Sequence, residues 1–202
     1  LNSFPDVDGA VRTEPLVVGY YDQYYPSLSL MLAARSLNLE AKDIQVRLGE
    51  GVQLGNQKID TDPGLQMHTY FYKDRDGHPA FPVDSFYDVL SGKIPAEKYR
   101  DKIVLIGASA AGVGTMQVTP IGPGMAPVQI LAHSVSSILR GDYFVSPQWG
   151  GLAEMAVFLL VALYLILLMP RLNAAIAAVM TGMLFAALLA AHFVLMTSQA
   201  MW

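Results

Sequence analysis

Short apolar runs alternate with turn-forming residues along the first 150 positions of the chain, and two long apolar runs follow them. Residues 15–21 (PLVVGYY) read as a strand. Residues 26–37 read as a helix, with Leu28, Leu30, Met31, Leu32, Ala34 and Leu37 apolar and Ser27 near its start. Residues 44–48 alternate, Gly49, Glu50 and Gly51 turn the chain, and residues 52–54 return, which is the pattern of a hairpin. Residues 58–59 and 67–72 read as further strands, Asp74 to Gly77 as a turn, and residues 84–90 as a short helix followed by Gly92. Residues 103–106 (IVLI) have charge before them and glycine after, as a buried parallel strand does. Residues 128–139 repeat apolar positions at helical spacing, through Ile130, Leu131, Val135, Ile138 and Leu139. Arg140 and Gly141 then supply a last-turn cation and a stop. The expected fold is α/β (α+β): a mixed sheet flanked by helices, with 103–106 as its most buried strand.

The stretch between the last strand and the last helix, residues 107–127, is rich in Gly, Ala, Thr and Pro. Loops beyond about 15 residues are uncommon unless they are functional or disordered. Val113, Met116, Val118, Ile121 and Met125 give this one apolar anchors, and Pro120 restricts Thr119 to extended geometry. Open α/β sheets meet ligands at the C-terminal ends of their strands. The residues expected to contact a ligand are therefore Gly107, Ser109, Gly112, Thr119, Gln129 and His133. The plain alternative is a lid that only seals the core.

Residues 152–169 carry Glu154 as their only charge, and residues 174–196 carry no formal charge and one histidine, His192. About 20 apolar residues at 1.5 Å rise span a bilayer core of roughly 30 Å. Residues 170–173 are too few for more than a tight turn. The tail is expected to be a two-helix transmembrane hairpin, with Tyr143, Phe144, Trp149 and Trp202 suited to an aromatic belt. Arg171, the sole cation near the turn, favours a cytoplasmic turn. The chain opens on leucine and reads as a piece of a longer protein.

Composition sharpens the partition. Hydrophobic residues make up 53% and charged residues 15%, against about 25% charged for ordinary soluble chains. Beyond Gly151, Arg171 is the only cation and Glu154 the only acid. A net charge of −4 argues against nucleic acid, which calls for a basic stripe. With no cysteine, disulfides, thiolate zinc sites and thiol nucleophiles are excluded.

Several local patterns suggest chemistry and have simpler readings. Gly107, Ser109 and Ala111 approximate a nucleophile elbow, with His133 in the following helix. The last glycine of the motif is missing, however, and no Asp between them takes the third role. A membrane-anchored serine hydrolase using Ser109 and His133 is the alternative they carry. Gly107 and Gly112 have phosphate-loop spacing, but Val113 and Gly114 stand where Lys and Ser or Thr are needed. The amides around Gly112 could still cradle an anion. The acid pairs Asp6 and Asp8, Asp60 and Asp62, and Asp74 and Asp76 lack the closing Glu of a calcium loop and read as turn chemistry. The histidines have no helical i, i+4 pair, so no metal is expected. No cofactor is indicated.

The soluble part resembles the type-2 CHASE domain, an extracellular sensor region of bacterial receptors. The resemblance rests on residues 102–107 (KIVLIG), Ala111 and Gly112, Thr119 and Pro120, residues 128–132 (VQILA) and residues 137–140 (SILR). Earlier pieces agree: residues 5–9 (PDVDG) with Val11 and Arg12, and residues 25–28 (YPSL). It implies a sensor of residues 1–150 outside the cytoplasm, helices 152–169 and 174–196 in the cell (inner) membrane, and a cytoplasmic turn at 170–173. It also implies signal transduction to a fused effector, typically an adenylate or guanylate cyclase, histidine kinase or serine/threonine kinase. This chain would then have no catalysis of its own. The expected partners are the membrane, an unidentified small-molecule or protein signal and, through the receptor, a second copy. A structural membrane protein whose outer domain packs on a neighbour is a third reading.

Overall fold

The computed structural model describes residues 5–110, 112–144 and 149–198. Ala111 and Trp202, named above, lie outside them. The chain divides into two compact units, Leu1–Tyr143 and Phe144–Trp202.

In the first unit the strand expected at 15–21 is broken at Leu16 into β1 (Thr13–Pro15) and β2 (Val17–Tyr20). The Leu16 N–H donates to the Leu65 carbonyl, and its own carbonyl accepts from Ser27, so this fully buried residue pins two loops. β2 forms a hairpin with β3 (Gln23–Pro26). Helix α1 (Leu28–Ser36) follows, capped by the Ser27 hydroxyl, which accepts from the Leu30 N–H. Such a cap satisfies one of the four N–H groups a helix start leaves open. The hairpin read around Gly49 to Gly51 is present as β4 (Ile44–Arg47) and β5 (Gly51–Leu54), with β6 (Gln57–Ile59) beside it. β7 (Gln66–Thr69) pairs antiparallel with β1, and α2 (Phe86–Leu90) is the short helix expected before Gly92.

The loop at 107–127 contains a hairpin, β8 (Gln117–Thr119) and β9 (Gly122–Met125), turning at Pro120. Its Ile121 and Met125 pack against Val11, Phe71 and Ile130. Helix α3 (Pro127–Arg140) ends at Gly141 in the left-handed conformation that glycine adopts without strain. β10 (Tyr143–Phe144) completes a three-stranded sheet in the order β1-β7-β10. The α+β class is as expected, but among the described residues the sheet is divided into four small ones. The main core joins Leu16, Leu30, Ala33, Ala34, Val52, Leu54, Ile59, Met67 and Ile138.

The central strand is a correction. Residues 103–106 belong to no strand, and Ile103, Val104 and Ile106 are 42%, 50% and 77% exposed. A strand holds its place by a ladder of hydrogen bonds to a neighbour. Among the described residues none lies beside this segment, and the backbone of residues 103–108 has no hydrogen-bond partner.

In the second unit, α4 (Gly150–Leu163) runs on through a π-helical turn, Tyr164–Leu168, and a 3-10 turn, Met169–Arg171. α5 (Ala174–Ser198) starts at Asn173, whose side-chain oxygen accepts from the Ile176 N–H. The Tyr164 hydroxyl lies 2.9 Å from that of Thr181 and donates to the Ala177 carbonyl at 3.3 Å, tying the two helices together. Both helices are long and apolar enough to cross a membrane, and most of their large apolar side chains are exposed.

Ile138→Ala removes a fully buried side chain from the main core and is expected to cost about 2–5 kcal/mol. Ile106→Ala, at an exposed position, is expected to stay within about 0.5 kcal/mol of wild type. Thermal unfolding followed by circular dichroism separates the two, and a larger loss at Ile106 would restore the buried-strand assignment.

Candidate functional site

Where residues 103–108 pass the start of α3, they leave a groove of about 400 Å³ between themselves, α1 and α3. Leu28 and Leu32 come from α1, Val128 and Leu131 from α3, and Val104 to Ala108 and Gly114 from the intervening chain. Gly107 is there for a steric reason: a Cβ on it would sit 2.7 Å from the Val128 Cβ. Any larger residue would push the segment off α3. The lining side chains are apolar and the exposed backbone adds polar area, so the groove would favour an apolar or amphipathic occupant.

Of the six residues expected to contact a ligand, the structure places only Gly107 on this groove. Ser109 and Gly112 are exposed in the adjoining loop. Thr119 is buried, and its hydroxyl donates to the Gly122 carbonyl across the β8–β9 turn. Gln129 turns its side-chain oxygen back onto the Ala126 N–H, capping α3. His133 is 3% exposed, and its Nδ1 accepts from the Tyr72 N–H at 3.1 Å. The imidazole stacks on Tyr72 at 5.9 Å and meets the ring of Phe81 edge-on at 4.8 Å. Burial holds its pKa down at about 4, so it is neutral at pH 7. Neither the geometry nor the hydrogen bonding joins Ser109 to His133 as nucleophile and base: Nδ1 is occupied by backbone, and Ser109 makes no side-chain hydrogen bond among the described residues.

The acid pairs have turn roles. Asp6 and Asp8 both accept from Arg12, and Asp8 also accepts from the Ala10 N–H. The Arg12 guanidinium holds the Asp8 carboxyl well below the usual carboxylate range. Asp62 accepts from the Gln66 N–H, and Asp74 from the Ala80 N–H.

Sequence reading missed the row of polar groups on α3. Ser137 accepts from the Tyr70 N–H and donates to the Tyr70 carbonyl, both at 3.1 Å, and Ser134 lies 3.4 Å from the Thr69 hydroxyl. The signal was present: His133, Ser134 and Ser137 interrupt an apolar helical face, where a buried polar group needs a partner.

A family model described as the CHASE2 domain matches residues 1–167 of this chain. The chain belongs to the CHASE2 family. CHASE2 is an extracellular sensory domain of signalling receptors and is not itself catalytic. No curated protein and no solved structure matches the chain. The groove and the α3 polar row therefore belong to a CHASE2 sensor, and the two apolar helices that follow fit membrane spans.

The lowered pKa of His133 fixes a pH dependence. The unfolded chain takes up the proton near 6.5 and the folded domain only near 4, so this contribution is complete above about pH 6.5 and lost as pH falls toward 4. The loss amounts to about 3 kcal/mol. His133→Gln keeps an acceptor for Tyr72 and has nothing to protonate. Measured by urea unfolding, its stability relative to wild type is expected to rise as pH falls through that window, whereas parallel profiles would assign the acid loss to another group.

Proposed function

We propose that the chain is the extracytoplasmic sensory part of a membrane receptor, with Gly150–Arg171 and Ala174–Thr197 crossing the cell (inner) membrane and Arg171 on the cytoplasmic side. The observation that carries this reading is the CHASE2 match over residues 1–167 running into two apolar helices of membrane length. The single arginine beside the turn supports the orientation. The output is a fused cytoplasmic effector, a nucleotide cyclase or a protein kinase.

The signal is received at the groove beside Gly107, with Ser109 and Gly112 following in the exposed loop. An apolar or amphipathic small molecule, or an apolar segment of a protein, fits its lining. The segment 103–108 is the element that would move, because no backbone hydrogen bond holds it among the described residues. A ligand bridging it to α1 and α3 would favour one of two arrangements and shift the population accordingly. No observation favours the hydrolase reading.

The absence of cysteine allows a clean test with single cysteines at Leu28, Ser85 and Asn173, in the receptor that carries its effector. A bulky, membrane-impermeant thiol reagent on intact cells is expected to label Leu28→Cys and Ser85→Cys but not Asn173→Cys. Labelling at Leu28 is expected to change effector output, and labelling at Ser85 is not. Labelling of Asn173→Cys but not Ser85→Cys would reverse the orientation. Unchanged output with Leu28→Cys fully labelled would move the receiving surface elsewhere.

A further inference from the structure

Glu14 lies in the middle of β1 and is 2% exposed. Among the described residues no ion pair reaches it. Its Oε1 accepts from the Ser29 hydroxyl at 2.8 Å, and the Ser29 and Ser27 hydroxyls are 2.8 Å apart. Ser27 in turn accepts from the Leu30 N–H at the start of α1. Its Oε2 is buried with no hydrogen-bond partner among the described residues. Both serines are buried as well.

A carboxylate in this setting would keep one desolvated oxygen without a donor, which is among the costliest arrangements in a protein interior. The neutral acid avoids that charge. Its proton also has an acceptor at hand, because Ser29 can turn its own hydrogen toward Ser27.

Among the described residues the surroundings offer no compensating charge. On β7, Glu14 is in register with Met67. The titratable group of that strand, His68, is opposite Thr13, and successive strand residues face opposite sides of the sheet. On α1 the facing groups are Ser27 and Ser29, and the one charged residue of the helix, Arg35, is exposed in its last turn. Burial outweighs the Ser29 hydrogen bond and pushes the carboxyl up from its ordinary value.

We propose that Glu14 is a proton-binding site of the folded domain, a carboxylic acid held neutral between β1 and the first turn of α1. It sheds its proton as that seam opens, so a proton is an input to the fold itself. The site lies in the sheet whose third strand, β10, is the last strand before the first apolar helix. The assignment goes beyond the sensor reading and does not depend on which effector or groove ligand is involved.

The sign of the linkage is set by geometry. The folded domain holds the proton where the unfolded chain has lost it. The contribution is therefore complete below the ordinary glutamate value, near 4.3, and is lost as pH rises through the folded value. The 202-residue chain in lipid nanodiscs is compared with Glu14→Gln by thermal unfolding between about pH 5 and pH 8. Other groups, His133 included, titrate alike in both. The Tm of the two is expected to converge at acid pH, with Glu14→Gln becoming the more stable as pH rises. Parallel profiles would overturn the proposal.

Infrared spectroscopy reads the proton directly and needs no variant to fold. Wild type at about pH 6, where an ordinary glutamate is ionised, is expected to show the carbonyl band of a protonated acid. Ser29→Ala removes the donor that favours the carboxylate and is expected to move the midpoint of that band upward. No acid band at that pH would mean that Glu14 is an ionised group paired with ordered water, and the proposal would fail.

Discussion

The soluble unit depends on one contact above all: the polar row of α3 against the chain just beyond β7. Ser137 takes both the N–H and the carbonyl of Tyr70, and His133 takes the N–H of Tyr72. Buried backbone groups must be paired, and this segment leaves the sheet after Thr69, so side chains of a helix replace the missing neighbour strand. On either side of that row, Ile130 and Ile138 enter the two apolar clusters. α3 thus joins both cores and holds β7, which in turn carries β1 and β10. Neutral His133 follows from this job, because a protonated Nδ1 could not accept from Tyr72.

The same helix fixes the groove. Its first turn offers Val128 to Gly107, and that approach exists only because residue 107 has no side chain. Residues 104–108 line the groove with α1 and α3, and among the described residues no strand ladder holds them. A sensory domain needs an element whose position costs little to change, and regions with few backbone bonds are where proteins supply one. The rigid part, α3 with its stitched segment, and the compliant part, 103–108, therefore meet at one end of one helix.

Local signals made much of this legible in the sequence. The Ser27 cap, the Gly141 stop, the hairpin around Gly49 to Gly51 and the two membrane-length helices are each written in a few adjacent residues or one long period. The buried strand at 103–106 was misread because an apolar run reports only what it would bury, not whether a neighbour lies beside it. The residues expected to contact a ligand show a related ambiguity. Thr119, Gln129 and His133 are polar groups in apolar company, which suits a site and an internal hydrogen bond equally well. Geometry assigns each to the second: a turn, a cap and a backbone acceptor. Glu14 was passed over because a lone acid in a strand gives no hint that Ser27 and Ser29, more than ten residues away, close over it.

Amide hydrogen exchange on the 202-residue chain in a lipid bilayer tests this division most directly. The account predicts that the Tyr70 and Tyr72 amides exchange as slowly as the interior of α3, and that the amides of residues 103–108 exchange rapidly. Fast exchange at Tyr70 and Tyr72, or protection spread across 103–106, would contradict it.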